Sequence, residues 1–190
     1  VIFLLFWILL FSGIRTFQHY SFGTNACDLS IVDYGMYYTL KGELMSEPFH
    51  GYWGSHFAIH FSPIIFLIVP FYLIFNGPLF LLYLQVLAVG LSAIPLYLIA
   101  KSVLRERYMA IIVAVIYLVF RHVLNGLMYD FHIEMFFPLC LVSIGNYNDV
   151  KKKPSLYFLF ITLGLFVKED IALYIFFFGV FLFFKIKNNR

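Results

Sequence analysis

Apolar and polar positions alternate along this chain on the scale of whole segments. Residues 1–14, 57–75, 79–100, 108–124, 133–145, 155–167 and 171–184 are apolar runs. Short polar stretches separate them, and one long one extends from Arg15 to His56. A helix needs roughly 20 apolar residues to cross the hydrocarbon of a bilayer. Residues 79–100 read as a full span, and 108–124 as another that ends in an Asn125-Gly126 turn. Residues 1–14 read as the end of a first span. No basic leader or small-residue cleavage site opens the chain. The pattern therefore predicts a protein cut inside its first span, or begun at an alternative start codon.

Within the long polar stretch, Leu29, Val32, Met36 and Leu40 recur at three- and four-residue spacing. That spacing predicts one apolar stripe on a helix of about four turns lying in the membrane interface. Asp28 stands at its N-cap position and Gly42 just beyond its last stripe residue. Residues 50–56, rich in Gly, aromatics and His, read as irregular loop.

Charge sets the topology. Basic residues cluster at 101–107, 151–153 and 185–190, whereas the loop around Asp28 holds Asp28, Asp33, Glu43 and Glu47. By the positive-inside rule the three clusters are cytoplasmic and the acidic loop is outside. That leaves one span too many between the loop and residue 101. Residues 57–75 contain Pro63 and Pro70 and form the weaker span, so they are expected to be an interfacial or re-entrant helix. The alternative is an ordinary hairpin with an outward-facing basic loop. The expected architecture is an all-α, polytopic transmembrane helix bundle. Residues 1–190 form a single module, and the extracytoplasmic loop 15–78 carries interfacial helices. The expected location is the plasma membrane, in multi-pass form.

Composition sharpens this picture. Of the 190 residues 63% are hydrophobic and only 12% charged, against about 45–50% and 25% in soluble domains. The lipid bilayer is the first partner. The net charge of +3 comes from clusters between apolar runs rather than from a basic surface, which argues against nucleic acid. Cys27 and Cys140 have no CxxC or Cys/His spacing, so neither a zinc site nor a disulfide framework is indicated.

On this topology the groups capable of acid–base chemistry gather at the outer ends of the spans. Asp28 sits where a helix dipole keeps a carboxylate ionised, as a general base requires, and Asp33 is a second acid nearby. Taken alone, both read first as solvated loop charges. His60, Asp130, His132 and Glu134 are oxygen and imidazole groups of a kind that holds a divalent metal ion. They lack the spacing of a known ligand motif and also suit helix-end caps. Lys168-Glu169-Asp170 joins two runs of roughly 20 Å, shorter than the roughly 30 Å hydrocarbon core, so three charges should lie recessed at membrane depth. Lys168 can then contact a phosphate, with Arg121 as a second contact. The bland alternative is a static plug of charges paired among themselves.

Asp28-Leu-Ser-Ile-Val-Asp33, His60-Phe-Ser-Pro63, Ile94-Pro95-Leu-Tyr97, Asp130-Phe-His132 and Lys168-Glu-Asp170, in that order, resemble the prokaryotic membrane family called domain of unknown function 2079. The resemblance covers about residues 20–175, with Ser30 where the family has Gly and Tyr34 where it has Gln. That family is similar in layout to GT-C glycosyltransferases. The resemblance implies that Asp28 occupies the catalytic-acid position and that the donor is a polyprenyl-phosphate-linked sugar. GT-C enzymes are much longer, so the chain would be part of a catalytic module. The competing readings are a transporter of lipid-linked substrates and a membrane protein without enzymatic activity.

Overall fold

The computed structural model describes residues 1–24, 26–48, 54–146 and 151–188. They form helices α1 (Ile2–Tyr20), α2 (Ala26–Thr39), α3 (Ile65–Tyr72), α4 (Pro78–Leu104), α5 (Arg107–Val119), α6 (Arg121–Tyr129), α7 (Phe137–Gly145), α8 (Pro154–Leu165) and α9 (Ile171–Asn188). Single 3₁₀ turns lie at His56–Ala58 and Ile133–Phe136. Among the described residues the only extended pairing is one antiparallel bridge between Ser46 and Ser55. The protein is an all-α membrane helix bundle. Ile2–Tyr20, Pro78–Leu104 and Arg107–Tyr129 are long and apolar enough to cross a membrane. Ile133–Gly145, Pro154–Leu165 and Ile171–Phe184 are shorter apolar helices.

α4 is the helix the others share. Over its most apolar window 56% of its residues are buried, against 11% in Ile2–Tyr20 and in Arg107–Tyr129, so those two face outward and α4 inward. Gly77 turns the chain at φ +105° and Pro78 opens α4, where a missing N–H costs nothing. Arg105, left-handed at φ 55°, ends it. The Glu106 carboxylate then accepts a hydrogen bond from the Met109 amide at 2.8 Å and caps α5, so α4 turns back into α5 over two residues. α1 lies against α4 at Gly90, where a Cβ would stand 2.9 Å from Ile8 Cγ1. Small residues let helices in a membrane approach in this way.

Three expectations change. The Asn125-Gly126 pair is not a turn, because α6 carries it through to Tyr129 and the chain reverses at 130–132. Met135 covers Gly126, and Leu127 is fully buried, so packing overrides the local turn preference. The helix breaks instead at Phe120, and Trp7 Nε1 donates to the Leu118 carbonyl at 3.0 Å near that break. Second, α2 begins at Ala26, which puts Asp28 in the first turn rather than at the cap. The residue before the helix, Asn25, lies outside the described residues. Leu29, Val32 and Met36 form the buried stripe, while Leu40 falls just past the helix and is exposed. Third, the helix expected across residues 57–75 narrows to eight residues, α3, which agrees with a segment that does not cross. At about 12 Å it is far too short to cross.

The stripe of α2 packs on Ile65, Ile68 and Tyr72 of α3 and on Leu81 and Leu82 of α4. The bundle thus has two unlike ends. One gathers the end of α1, α2, α3, the start of α4, the 130–134 link and the 166–170 link. The other carries Lys101, Arg105, Arg107 and Lys151–Lys153. Part of the loop expected at 50–56 lies outside the described residues, as does the tip of the last basic cluster.

If the α1–α4 contact depends on Gly90, Gly90→Leu should destabilise the protein by about 1–3 kcal/mol. Thermal unfolding in detergent measures this, and an unchanged midpoint would mean that α1 is free to move away from α4.

Candidate functional site

A cavity of about 210 Å³ opens at the acidic end. Its polar lining is Asp28 from the first turn of α2, His56 and His60 from the segment before α3, His132 and Glu134 from the 130–134 link, and Lys168 from the 166–170 link. Phe131, Ile133 and Val32 give it an apolar side. Four segments far apart in sequence therefore meet around one space.

Three pairs of polar groups join these segments. His132 Nε2 lies 3.8 Å from Asp28 Oδ2, too far for a hydrogen bond and close enough for an ion pair when the imidazole is protonated. Lys168 Nζ is hydrogen-bonded to Glu134 Oε1. His60 Nδ1 lies 2.9 Å from Glu169 Oε1, and the Phe61 amide donates to Glu169 Oε2 at 2.8 Å. Burial opposes the charge on Glu169, but the bonds from His60 and the Phe61 amide outweigh it and push its pKa down to about 2. Lys168 is likewise pulled both ways. Burial lowers its pKa, and the Glu134 bond with the nearby Asp170 and Glu169 charges raises it above the ordinary lysine value. Lys168 and Glu169 therefore bond to residues of other segments rather than to each other.

The structure gathers Asp28, His60, His132, Glu134 and Lys168 around this space and leaves three expected residues elsewhere. Asp130 is fully buried one layer below, where its Oδ2 accepts from the Leu29 amide at 3.1 Å. Burial raises its pKa, and the Leu29 and Phe131 amides and Arg15 counter this in part. Asp33 points to the other side of α2, where Tyr72 Oη donates to its Oδ1 at 2.6 Å. Burial pushes Asp33 above the usual carboxylate range, with the Tyr72 bond and His19 opposing. It lines a second, mostly apolar cavity of about 520 Å³ beside His19 and Tyr20. Arg121 is exposed and lines neither cavity. Since the turn lies at 130–132, Arg121 sits nearly the whole of α6 away from it, about 13 Å along the axis. Arg121 is therefore not brought to the cavity that holds Lys168.

His56, four residues from His60, lines the cavity as well. One contributor was not singled out from sequence. Gln85 is fully buried beneath the 130–132 link, and a lone carboxamide in the apolar run 79–100 could have marked it. Among the described residues no group of three or more His, Cys, Asp or Glu side chains is placed to hold a metal ion. Glu134 is paired with Lys168 and Glu169 with His60, so a divalent ion would have to displace these partners.

Residues 18–190 match the model of the family described as "Predicted membrane protein (DUF2079)". The chain belongs to this family. The match takes in every residue of both cavities and all helices except most of α1. No curated protein and no solved structure matches the chain.

The clasp between Glu169, His60 and Phe61 has a testable pH dependence. Because the folded pKa of Glu169 is depressed, its stabilisation is complete above the ordinary value of 4.5 and is lost as pH falls towards about 2. At neutral pH Glu169→Gln should speed hydrogen exchange at the Phe61 amide by about tenfold. Unchanged exchange there would mean that other contacts protect this amide.

Proposed function

We propose that the protein is a GT-C-like glycosyltransferase module that uses a polyprenyl-phosphate-linked sugar at the outer face of the plasma membrane. The reading is carried by one observation: Asp28 stands at a polar cavity at the acidic end of the bundle, facing His132 at 3.8 Å, with Lys168 in the same cavity. In the proposed reaction Asp28 takes the proton of the acceptor hydroxyl. The hydroxyl oxygen forms a bond to the anomeric carbon of the sugar. The bond from that carbon to the phosphate oxygen breaks, and the polyprenyl phosphate leaves with the electron pair. His132 faces the Asp28 carboxylate at 3.8 Å and orients it. Lys168 has three N–H groups and gives one to Glu134, so two remain for the phosphate. His60 and Glu134 frame the same space.

A transporter of lipid-linked substrates would need a path through the bundle. Next to the cavity, Leu81, Leu82, Phe131, Ile133, Val167 and Ile171 are buried in one apolar cluster. A polar pocket backed by packed hydrocarbon suits a reaction at one face better than passage across.

Asp28→Asn should lower sugar transfer by about a hundredfold or more, the scale of a lost general base. Asp33→Asn should leave the rate within about threefold, since Asp33 belongs to the other face of α2. The assay is transfer from a polyprenyl-phosphate sugar by protein in liposomes. Full activity in both variants would remove the catalytic reading of this loop. Orientation is tested separately, with Cys27 and Cys140 replaced by Ser. A membrane-impermeant thiol reagent applied outside cells should label a Ser46→Cys variant and spare Ser102→Cys. The reverse pattern would put the cavity on the cytoplasmic face.

A further inference from the structure

We infer that Gln85 is the positioning residue that sets Asp28 against His132, an inference resting on the reading of these two groups as the working pair. Gln85 is fully buried in α4 among Leu81, Leu82, Val86 and Val89, all equally buried. A carboxamide in such surroundings is costly unless both its ends are bonded. Here both are. Its Oε1 accepts from the His132 amide at 2.9 Å. Its Nε2 donates to the Asp130 carbonyl at 3.0 Å, with the Leu127 carbonyl further off at 3.5 Å. An acceptor for the amide and a donor for the carbonyl fix which way the group is turned.

The two bonds bracket Phe131, whose ring is buried in the apolar cluster shared with α2 and α4. On one side of it, the Asp130 carboxylate accepts from the Leu29 amide, the residue next to Asp28. On the other side, the His132 imidazole reaches Asp28 itself. Both partners in the pair thus trace to one side chain. His132 is held through its own backbone, and Asp28 through Leu29 and Asp130. An apolar residue of the same size would still pack in α4. It would leave the His132 amide and the Asp130 carbonyl without their partner, and the link carrying His132 would lose its register on α2.

Disulfide trapping tests this without relying on catalysis. In a background with Cys27 and Cys140 replaced by Ser, the pair Asp28→Cys with His132→Cys reports the distance across the working pair. The pair His60→Cys with Glu169→Cys reports a separate contact at the rim of this cavity, made by His60. Adding Gln85→Leu to full-length protein in liposomes should slow trapping of the first pair by about tenfold and leave the second unchanged. Asp130→Leu, which cuts the same chain at its next bond, should do likewise, and Asp130→Asn, which keeps an acceptor oxygen, should restore trapping. Equal slowing of both pairs would assign Gln85 a merely structural role, and no slowing of either would remove its role altogether. Either result overturns the inference. If Gln85→Leu does not insert, Asp130→Leu and Asp130→Asn decide it. Normal trapping behaviour in a protein without transferase activity would overturn the proposed function and leave Gln85 as the organiser of this cavity.

Discussion

A backbone amide or carbonyl freed at a helix end inside a bilayer has no water to bond. This bundle contains many such ends, because several of its helices are shorter than the membrane is thick. Groups from neighbouring segments, mostly side chains, supply the partners. Trp7 donates to the Leu118 carbonyl near the break after α5, and Arg15 donates to the Met128 carbonyl near the end of α6 at 2.9 Å. Gln85 serves the link that follows, and the Ile64 amide donates to the Phe166 carbonyl at 2.8 Å where α8 stops. Asp130 accepts from the start of α2. Each bond also ties one segment to another, so satisfying the backbone assembles the acidic end.

The cavity follows from that assembly. Links that end α6, start α7 and join α8 to α9 must sit at this end, and they bring His132, Glu134 and Lys168 with them. α2, held by its apolar stripe over α3 and α4, covers the links and turns Asp28 inward. The charges then pair across segments: Lys168 with Glu134, and Glu169 with His60. Attraction between opposite charges is stronger where water is scarce, which favours such pairs over isolated groups. α2 also divides the region in two, since residues 28 and 33 on one helix are about 140° apart and serve different cavities. This division places the two aspartates at different cavities.

The sequence by itself determined the class of fold, the central span and the difference in charge between the two ends. Hydrophobic run lengths are a direct image of bilayer thickness, so α4 and the apolar α5–α6 stretch were legible without any contact. The stripe Leu29, Val32 and Met36 declared α2 because a helix exposes its periodicity in order. The unequal distribution of Lys and Arg against Asp and Glu marked the two ends for the same reason: charge is local to each loop. The shortness of the proline-bearing stretch 57–75 as a helix was likewise readable, since Pro removes a donor wherever it falls.

Only the tertiary structure decided where α5 breaks, where the chain reverses after α6, and which acid faces which cavity. Asn125-Gly126 is a turn signal in isolation, but Met135 and the burial of Leu127 hold it helical. That moved Arg121 away from the site. Asp130 and Glu134 lie four residues apart in sequence, yet one braces α2 and the other pairs with Lys168. Gln85 looked like a single polar letter in an apolar run until the 130–132 link was seen to end on both of its bonding groups. Local patterns record how each segment meets lipid or water. Pairing between side chains depends on which segments arrive together, and that is set by packing across the whole bundle.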